Sequence, residues 1–104
     1  MIHGIVQWVL GSGRLRSHKW PAVRDAHLKT EPTCTACGET RNLEVHHVEP
    51  FHLSPERELD PSNLLTMCRD CHWFLGHLQH WDRINPHARA DAEYFLRRVR
   101  EVLR

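Results

Sequence analysis

Two Cys-x-x-Cys pairs are the strongest constraint on what this chain can fold into. They are Cys34 with Cys37 and Cys68 with Cys71, and they account for all four cysteines of the sequence. A Cys-x-x-Cys turn offers two sulfurs from one side, and a second pair can close the tetrahedral shell that Zn²⁺ adopts in structural sites. The spacing therefore predicts a structural zinc site that joins two distant segments.

The length of the chain explains why such a site would matter. A chain of 104 residues buries a smaller fraction of its surface than a larger domain does, so its hydrophobic core is thin. Structural zinc binds small finger peptides with an apparent free energy on the order of 10 kcal/mol or more, which offsets this weakness. We therefore predict one domain over residues 1–104.

The start of the chain favours zinc over disulfide bonds. Residues 1–10 are largely apolar, but they carry no charged n-region and no small-residue cleavage site, and they are too few to span a bilayer. Without a secretory signal, the expected setting is the cytoplasm, where reducing conditions keep thiols free. We expect a cytoplasmic protein that does not associate with a membrane.

Charge is distributed unevenly although the net charge is only +1. Residues 1–30 carry five Lys/Arg and one Asp/Glu. Residues 31–66 carry two Lys/Arg and seven Asp/Glu, and residues 67–104 carry seven Lys/Arg and five Asp/Glu. Two interpretations stay open. The charges either belong to ordinary solvated faces, or bound metal neutralises the acidic middle while the basic ends contact nucleic-acid phosphates.

Apolar residues in the middle of the chain predict a pair of strands. Leu43 and Val45 indicate a first strand that delivers His46 and His47. Proline at the start of residues 50–61 stops this strand and opens a loop. An apolar return segment follows the loop, and a helix is expected to begin near the second cysteine pair.

A first helix is predicted before the cysteines. Pro21 suits a first helical turn, and Val23, Ala26 and Thr30 recur on one side of a helix that ends before Pro32.

A last helix is predicted after Asn85, which is a favourable cap followed by Pro86. Its apolar stripe consists of Ala88, Ala92, Phe95, Leu96, Val99, Val102 and Leu103. The other face is rich in arginine, and the spacing does not decide whether that face is merely solvated or contacts phosphates.

The order His47, Asn63, His72 spells the signature of the HNH nucleases. The surrounding segments read CTACGETRNLEVHHVEPF, ELDPSNLLTMCRDCH and FLGHLQHW. Over about residues 20–86 the chain resembles the zinc-stapled branch of the HNH endonuclease family of phages and bacteria. The resemblance implies an α+β fold, namely a treble-clef-like ββα-metal finger stapled by the four cysteines and flanked by helices. Residues 1–19 would then be an N-terminal extension and residues 87–104 a C-terminal helix.

The same resemblance implies roles for the central residues. His46 and His72 would hold a catalytic divalent ion, which could be Mg²⁺, Mn²⁺, Ni²⁺ or Zn²⁺. His47 would be the general base, because an imidazole titrates near neutrality. Asn63 would tie together the loop that holds this base. Neighbouring side chains on a strand point to opposite faces, so His46 and His47 are expected to differ in role.

His77 and Arg69 are less well defined by the sequence. Five residues after His72 is the wrong offset for a shared face of a regular helix. Gly76 could break the helix and bring His77 back as a third metal ligand or a phosphate donor, and simple packing is the alternative. Arg69, inside the second cysteine pair, is a candidate phosphate contact.

The resemblance further implies an endonuclease that acts on DNA, by nicking or by double-strand cleavage, with phage packaging proteins as candidate partners. The sequence leaves the oligomeric state open between a monomer and a weak dimer. Two other classes of protein share part of this pattern. A non-catalytic zinc module that binds nucleic acid or protein explains the cysteines but not the HNH residues. A zinc deaminase is suggested by the triplet from His47 to Glu49, but Met67 stands where that motif has proline.

Overall fold

The computed structural model describes residues 15–102. Its helices are α1 (Trp20–Thr30), α2 (Arg69–Cys71) and α3 (Ala88–Val102), and its strands are β1 (Leu43–His47) and β2 (Leu64–Cys68). A π turn, His72–Gly76, directly continues α2, and two short 3₁₀ turns, Pro55–Arg57 and Pro61–Asn63, lie in the loop between the strands. None of the helices within this described part has the length and apolarity needed to cross a membrane. The predictions for residues 1–10 and for Leu103 lie outside the described residues.

The two strands form one antiparallel sheet, in which His46 pairs with Leu65 and His47 with Leu64. All five residues of β2 are buried. The sheet and the flanking helices confirm the predicted small α+β fold, including a first strand that ends in the histidine pair.

The hydrophobic core surrounds the cysteines. Its buried residues are Cys34, Ala36, Leu65, Met67, Cys68, Ala88 and Ala92. The first cysteine pair comes from the turn after α1, and the second comes from the junction of β2 and α2. The core and the four thiols therefore occupy the same small volume.

The edge of β2 that faces away from β1 is covered by the side chains of Glu31, which directly follows α1, and Arg89, which lies in α3. The Thr66 backbone N–H donates to the Glu31 carboxylate at 2.8 Å, and Arg89 donates to the Leu64 carbonyl at 3.0 Å. Arg89 and Glu31 also form an ion pair at 3.1 Å. An exposed strand edge would offer its backbone to other chains, so this clamp both satisfies and protects it.

Replacing Glu31 with alanine should lower the free energy of unfolding by about 2 kcal/mol, because the buried Thr66 N–H loses its acceptor. The matched control is Glu93→Ala, since Glu93 is a more exposed partner of Arg89 at 3.5 Å. We expect that control to cost less than about 0.5 kcal/mol. Denaturant titration of the zinc-loaded proteins measures both values, and equal losses would contradict the role given to Glu31.

The predicted apolar stripe of α3 is only partly buried, which corrects the expectation from sequence. Ala88 and Ala92 are fully buried, whereas Phe95 is 37% and Val102 is 80% exposed. A helix of 15 residues is about 22 Å long, and a five-residue strand spans only about 17 Å. The far end of α3 therefore extends past the sheet that its first turns cover.

Asn85 also acts differently from a simple helix cap. Its side-chain oxygen accepts from the His87 N–H at 3.0 Å, one residue before α3 begins. Its amide donates to the Leu75 carbonyl at 2.9 Å and to Asp91 at 3.0 Å. Asn85 thus joins α3 to the π turn.

Candidate functional site

The four cysteine sulfurs form one cluster. All of them lie within 4.8 Å of one another, and the Cys37 and Cys68 sulfurs are 3.8 Å apart. Gly38 adopts a left-handed φ of 81°, and its N–H donates to the Cys34 carbonyl at 2.9 Å. This turn folds the first pair back toward the second.

Electrostatics in this cluster favour a bound cation. Burial raises the pKa of Cys37 to about 11, and burial together with the Cys34 charge raises the pKa of Cys71. Burial opposes ionisation of Cys34 as well, but hydrogen bonds from backbone N–H groups outweigh it and lower that pKa. Four crowded thiols ionise together only when a cation balances their charge. The donor set and the spacing fit a structural Zn²⁺.

A second cluster consists of His46, His72 and His77. His46 Nδ1 lies 3.0 Å from His72 Nε2, and His77 Nε2 lies 3.2 Å from the same atom. The three nitrogens are thus close enough together to share one metal ion.

The π turn explains how His77 reaches this cluster. The His77 N–H donates to the His72 carbonyl at 3.1 Å, which is the five-residue hydrogen bond of a π turn. The helix is therefore widened over His72–Gly76. The sequence had suggested instead that Gly76 could break it. A Cβ on Gly76 would stand 2.9 Å from Met67 Cε and 3.3 Å from His46 Cε1. Glycine lets the widened turn lie directly on β1 and β2.

Hydrogen bonds fix the orientation of two of the three rings. His72 Nδ1 donates to Glu44 at 3.0 Å, and His77 Nδ1 donates to the Arg83 carbonyl at 3.2 Å. Each Nε2 therefore presents a lone pair to the cluster, as in metal sites where an oxygen acceptor orients the histidine. The sequence prediction missed Glu44, although its position two residues before His46 on the same face of β1 was a usable signal.

His46 is the most buried member of the cluster. It is 4% exposed, and burial and the neighbouring His72 lower its pKa to about 3. Burial likewise lowers the pKa of His77. Two rings that favour the neutral form supply the lone pairs that a metal ion requires. Among the residues described, His46 Nε2 has no hydrogen-bond partner.

His47 lies in a different environment from its neighbour. Its Nε2 donates to the Glu58 carbonyl at 2.9 Å, and its ring packs 4.4 Å from the Trp20 ring. Burial lowers the pKa of His47. With Nε2 carrying the proton, Nδ1 is left as the acceptor. No side-chain pattern pointed to the Glu58 carbonyl, because it is a backbone group.

Asn63 ties the loop between the strands together. It is 1% exposed, and its oxygen accepts from the Glu49 N–H at 2.7 Å. Its amide donates to the Glu49 carbonyl at 3.0 Å and to the Arg57 carbonyl at 3.1 Å. Arg57 directly precedes Glu58, so Asn63 holds the backbone that in turn holds His47.

The residues before α1 attach to the same loop. The Ser17 N–H donates to both oxygens of the Glu58 carboxylate, at 3.1 and 3.3 Å, and Arg16 lies 3.6 Å from it. Part of the predicted N-terminal extension therefore packs against the loop that holds His47.

Arg69 lies outside the histidine cluster. Its side chain is 75% exposed, and its Nε is 3.6 Å from the second oxygen of Glu44. It is thus a solvent-facing cation beside the carboxylate that orients His72.

Comparison with known families agrees with this geometry. Residues 34–78 match the model of the HNH endonuclease family. The similarity to the HNH family covers this segment of the chain. The match includes both clusters and Asn63, so the predicted resemblance is confirmed and the domain is a nuclease-type, metal-binding fold with which nucleic-acid binding is associated. No curated protein and no solved structure matched the chain.

Proposed function

We propose that this HNH domain is a metal-dependent endonuclease that hydrolyses phosphodiester bonds in DNA. One observation carries the proposal. The end of β1 places His46 among convergent imidazoles and places the adjacent His47 on a backbone carbonyl at 2.9 Å. A site for a cation and a separate, oriented base are the two components that phosphodiester hydrolysis requires.

The histidine cluster is suited to a divalent cation, and His46, His72 and His77 would be its protein ligands. Such an ion supplies positive charge to the scissile phosphate and to the leaving oxygen. Imidazole ligands suit Zn²⁺ and Ni²⁺ better than Mg²⁺, which prefers carboxylates and water. Of the four ions considered from the sequence, we therefore expect Ni²⁺ and Zn²⁺ to bind this site at lower concentration than Mg²⁺.

His47 carries the proton transfer. Its Nδ1 accepts a proton as a water oxygen attacks phosphorus and the bond from phosphorus to the 3′ oxygen breaks. The Glu58 carbonyl accepts the hydrogen bond from Nε2 and so stabilises the positive charge that His47 gains. Asn63 keeps this carbonyl in place through the neighbouring Arg57. Arg69, exposed beside Glu44, is positioned to contact a flanking phosphate.

His46→Ala and His77→Ala should each weaken binding of the second metal ion by about tenfold or more, since each removes one imidazole from the cluster. Calorimetric titration of Ni²⁺ into zinc-loaded protein measures the affinity. His87→Ala is the control, because His87 is an exposed histidine outside the cluster. An unchanged affinity in His77→Ala would remove that residue from the ligand set.

Cleavage of supercoiled plasmid over a series of added ions tests catalysis and product together. Metal-dependent nicked or linear product supports the proposal, and the ratio of the two distinguishes nicking from double-strand cleavage. A protein that binds one metal per chain and cuts nothing would favour the non-catalytic zinc module instead. Action in the bacterial or phage-infected cytoplasm, phage packaging partners and a monomer or weak dimer remain predictions.

A further inference from the structure

Two tryptophans, the exposed Trp81 and the partly buried Trp73, lie beside the histidine cluster. The Trp81 ring is 4.8 Å from the His77 ring and 5.5 Å from the His72 ring. Trp73 stands behind it, at 4.8 Å between ring centroids. Trp81 is nevertheless 52% exposed. Contact with two candidate ligands does not bury this indole, so much of its surface faces solvent next to the site.

An unusual backbone turn places Trp81 there. Leu78 and Gln79 have φ values of 53° and 65°, a left-handed conformation that is unfavourable for residues other than glycine. The turn is held by the Gln79 N–H, which donates to the Trp73 carbonyl at 2.9 Å, and by Arg83, which donates to the Leu78 carbonyl at 3.3 Å. Two successive residues in this conformation indicate that the position of the indole is strongly determined.

We propose that Trp81, backed by Trp73, stacks on an unpaired base of the DNA strand whose scissile phosphate lies next to the histidine cluster. This inference rests on the proposed nuclease function and adds its substrate class, which is single-stranded or locally unpaired DNA. A base inside a continuous duplex is covered on both faces by its neighbours, so it has no free face to offer an indole. Aromatic platforms combined with nearby cations are the usual means of binding single strands. Two exposed cations lie close to the site, namely Arg69 beside Glu44 and Arg83 on the turn that places Trp81.

The competing explanation is that Trp81 only packs against His72 and His77 and shields them from water. That explanation predicts weaker metal binding when the indole is lost and no difference between single-stranded and duplex DNA. The stacking proposal predicts unchanged metal affinity and a loss of binding that is larger for single-stranded than for duplex DNA. The two explanations can therefore be separated.

The first experiment measures DNA binding without cleavage. Fluorescence anisotropy compares a labelled single strand with a blunt duplex of the same sequence, using zinc- and Ni²⁺-loaded protein that carries His47→Ala. Adding Trp81→Ala should weaken single-strand binding by about tenfold and change duplex binding by less than about twofold. Trp81→Phe should retain most of the single-strand affinity. Equal weakening for both DNAs would overturn the proposal.

Two controls make this result specific. Tyr94→Ala removes an aromatic side chain of similar exposure, 58%, on α3, and it should leave both affinities unchanged. Calorimetric titration of Ni²⁺ into Trp81→Ala should give the affinity of the parent protein. A single-strand defect that is fully explained by lost Ni²⁺ would show that Trp81 is a packing residue and would overturn the proposal.

A double-mutant cycle that combines Trp81→Ala with removal of single bases from the DNA locates the stacked base. The DNA series consists of single strands that each lack one base at a different position. At one position the missing base should weaken binding to the parent protein about as much as Trp81→Ala does. The effects of that missing base and of Trp81→Ala should not add. Full additivity at every position would count against stacking. A protein that shows this coupling but cuts neither supercoiled plasmid nor single-stranded DNA would refute the nuclease function alone. Cleavage without any coupling would refute the stacking platform alone.

Discussion

In the proposed mechanism, His47→Ala should lower the rate of DNA cleavage by about 10² or more, which is the usual contribution of a positioned general base. The fold, the zinc content and the affinity for the second ion should stay close to those of the unaltered protein. The structural reason is that His47 points away from the histidine cluster and contacts Trp20 and the Glu58 carbonyl instead. Single-turnover plasmid cleavage at saturating Ni²⁺ measures the loss.

His46→Ala provides the matched comparison, because it removes an identical side chain from the adjacent position of β1. Its defect should be in metal affinity, and raising the Ni²⁺ concentration should restore part of the activity. The same excess should not help His47→Ala. Equal losses of Ni²⁺ affinity in the two variants would show that the roles of the two histidines are wrongly assigned.

The sequence sufficed where local spacing determines geometry. Each Cys-x-x-Cys pair is a short turn whose ligand geometry is nearly fixed by its length, and the structure gathers all four sulfurs within 4.8 Å. The strand that carries His46 and His47 and the apolar return strand were likewise predicted, because apolar residues mark both segments and a proline stops the first.

The sequence did not suffice where a contact depends on backbone irregularity or on distant residues. The five-residue offset between His72 and His77 excludes a shared face only for a regular α-helix. No residue pattern in the sequence predicts that these residues form a π turn. The clamp between Glu31 and Arg89 joins residues 58 positions apart. Both features depend on the tertiary structure and not on local sequence patterns.

For Asn63, the structure supplies the hydrogen bonds that the sequence could not predict. The sequence suggested only that it organises the loop. The structure gives it three hydrogen bonds to backbone groups at two points of that loop. Because the Glu58 carbonyl is next to one of these points, errors in the loop would move the hydrogen bond that orients His47. Asn63 is therefore a positioning residue in the proposed mechanism.

Cys37→Ser should unfold the domain or leave it without fixed tertiary packing. Serine preserves the size of the side chain but removes one thiolate ligand, so the loss falls on metal binding rather than on packing. Structural zinc contributes on the order of 10 kcal/mol, whereas small domains are stable by only about 5–15 kcal/mol. Because Cys34 and Cys68 lie inside the hydrophobic core, release of the ion would leave the core without the bond that joins its two halves.

Elemental analysis and thermal unfolding of freshly reduced protein test this prediction. The unaltered chain should hold one zinc per molecule after dialysis, and its unfolding temperature should fall sharply when a strong chelator removes the ion. Cys37→Ser should resemble the chelated protein even without chelator, and His47→Ala should resemble the unaltered one. A Cys37→Ser protein with full zinc content and unchanged thermal stability would refute the structural zinc site, because the remaining three sulfurs cannot complete the shell that four thiolates form.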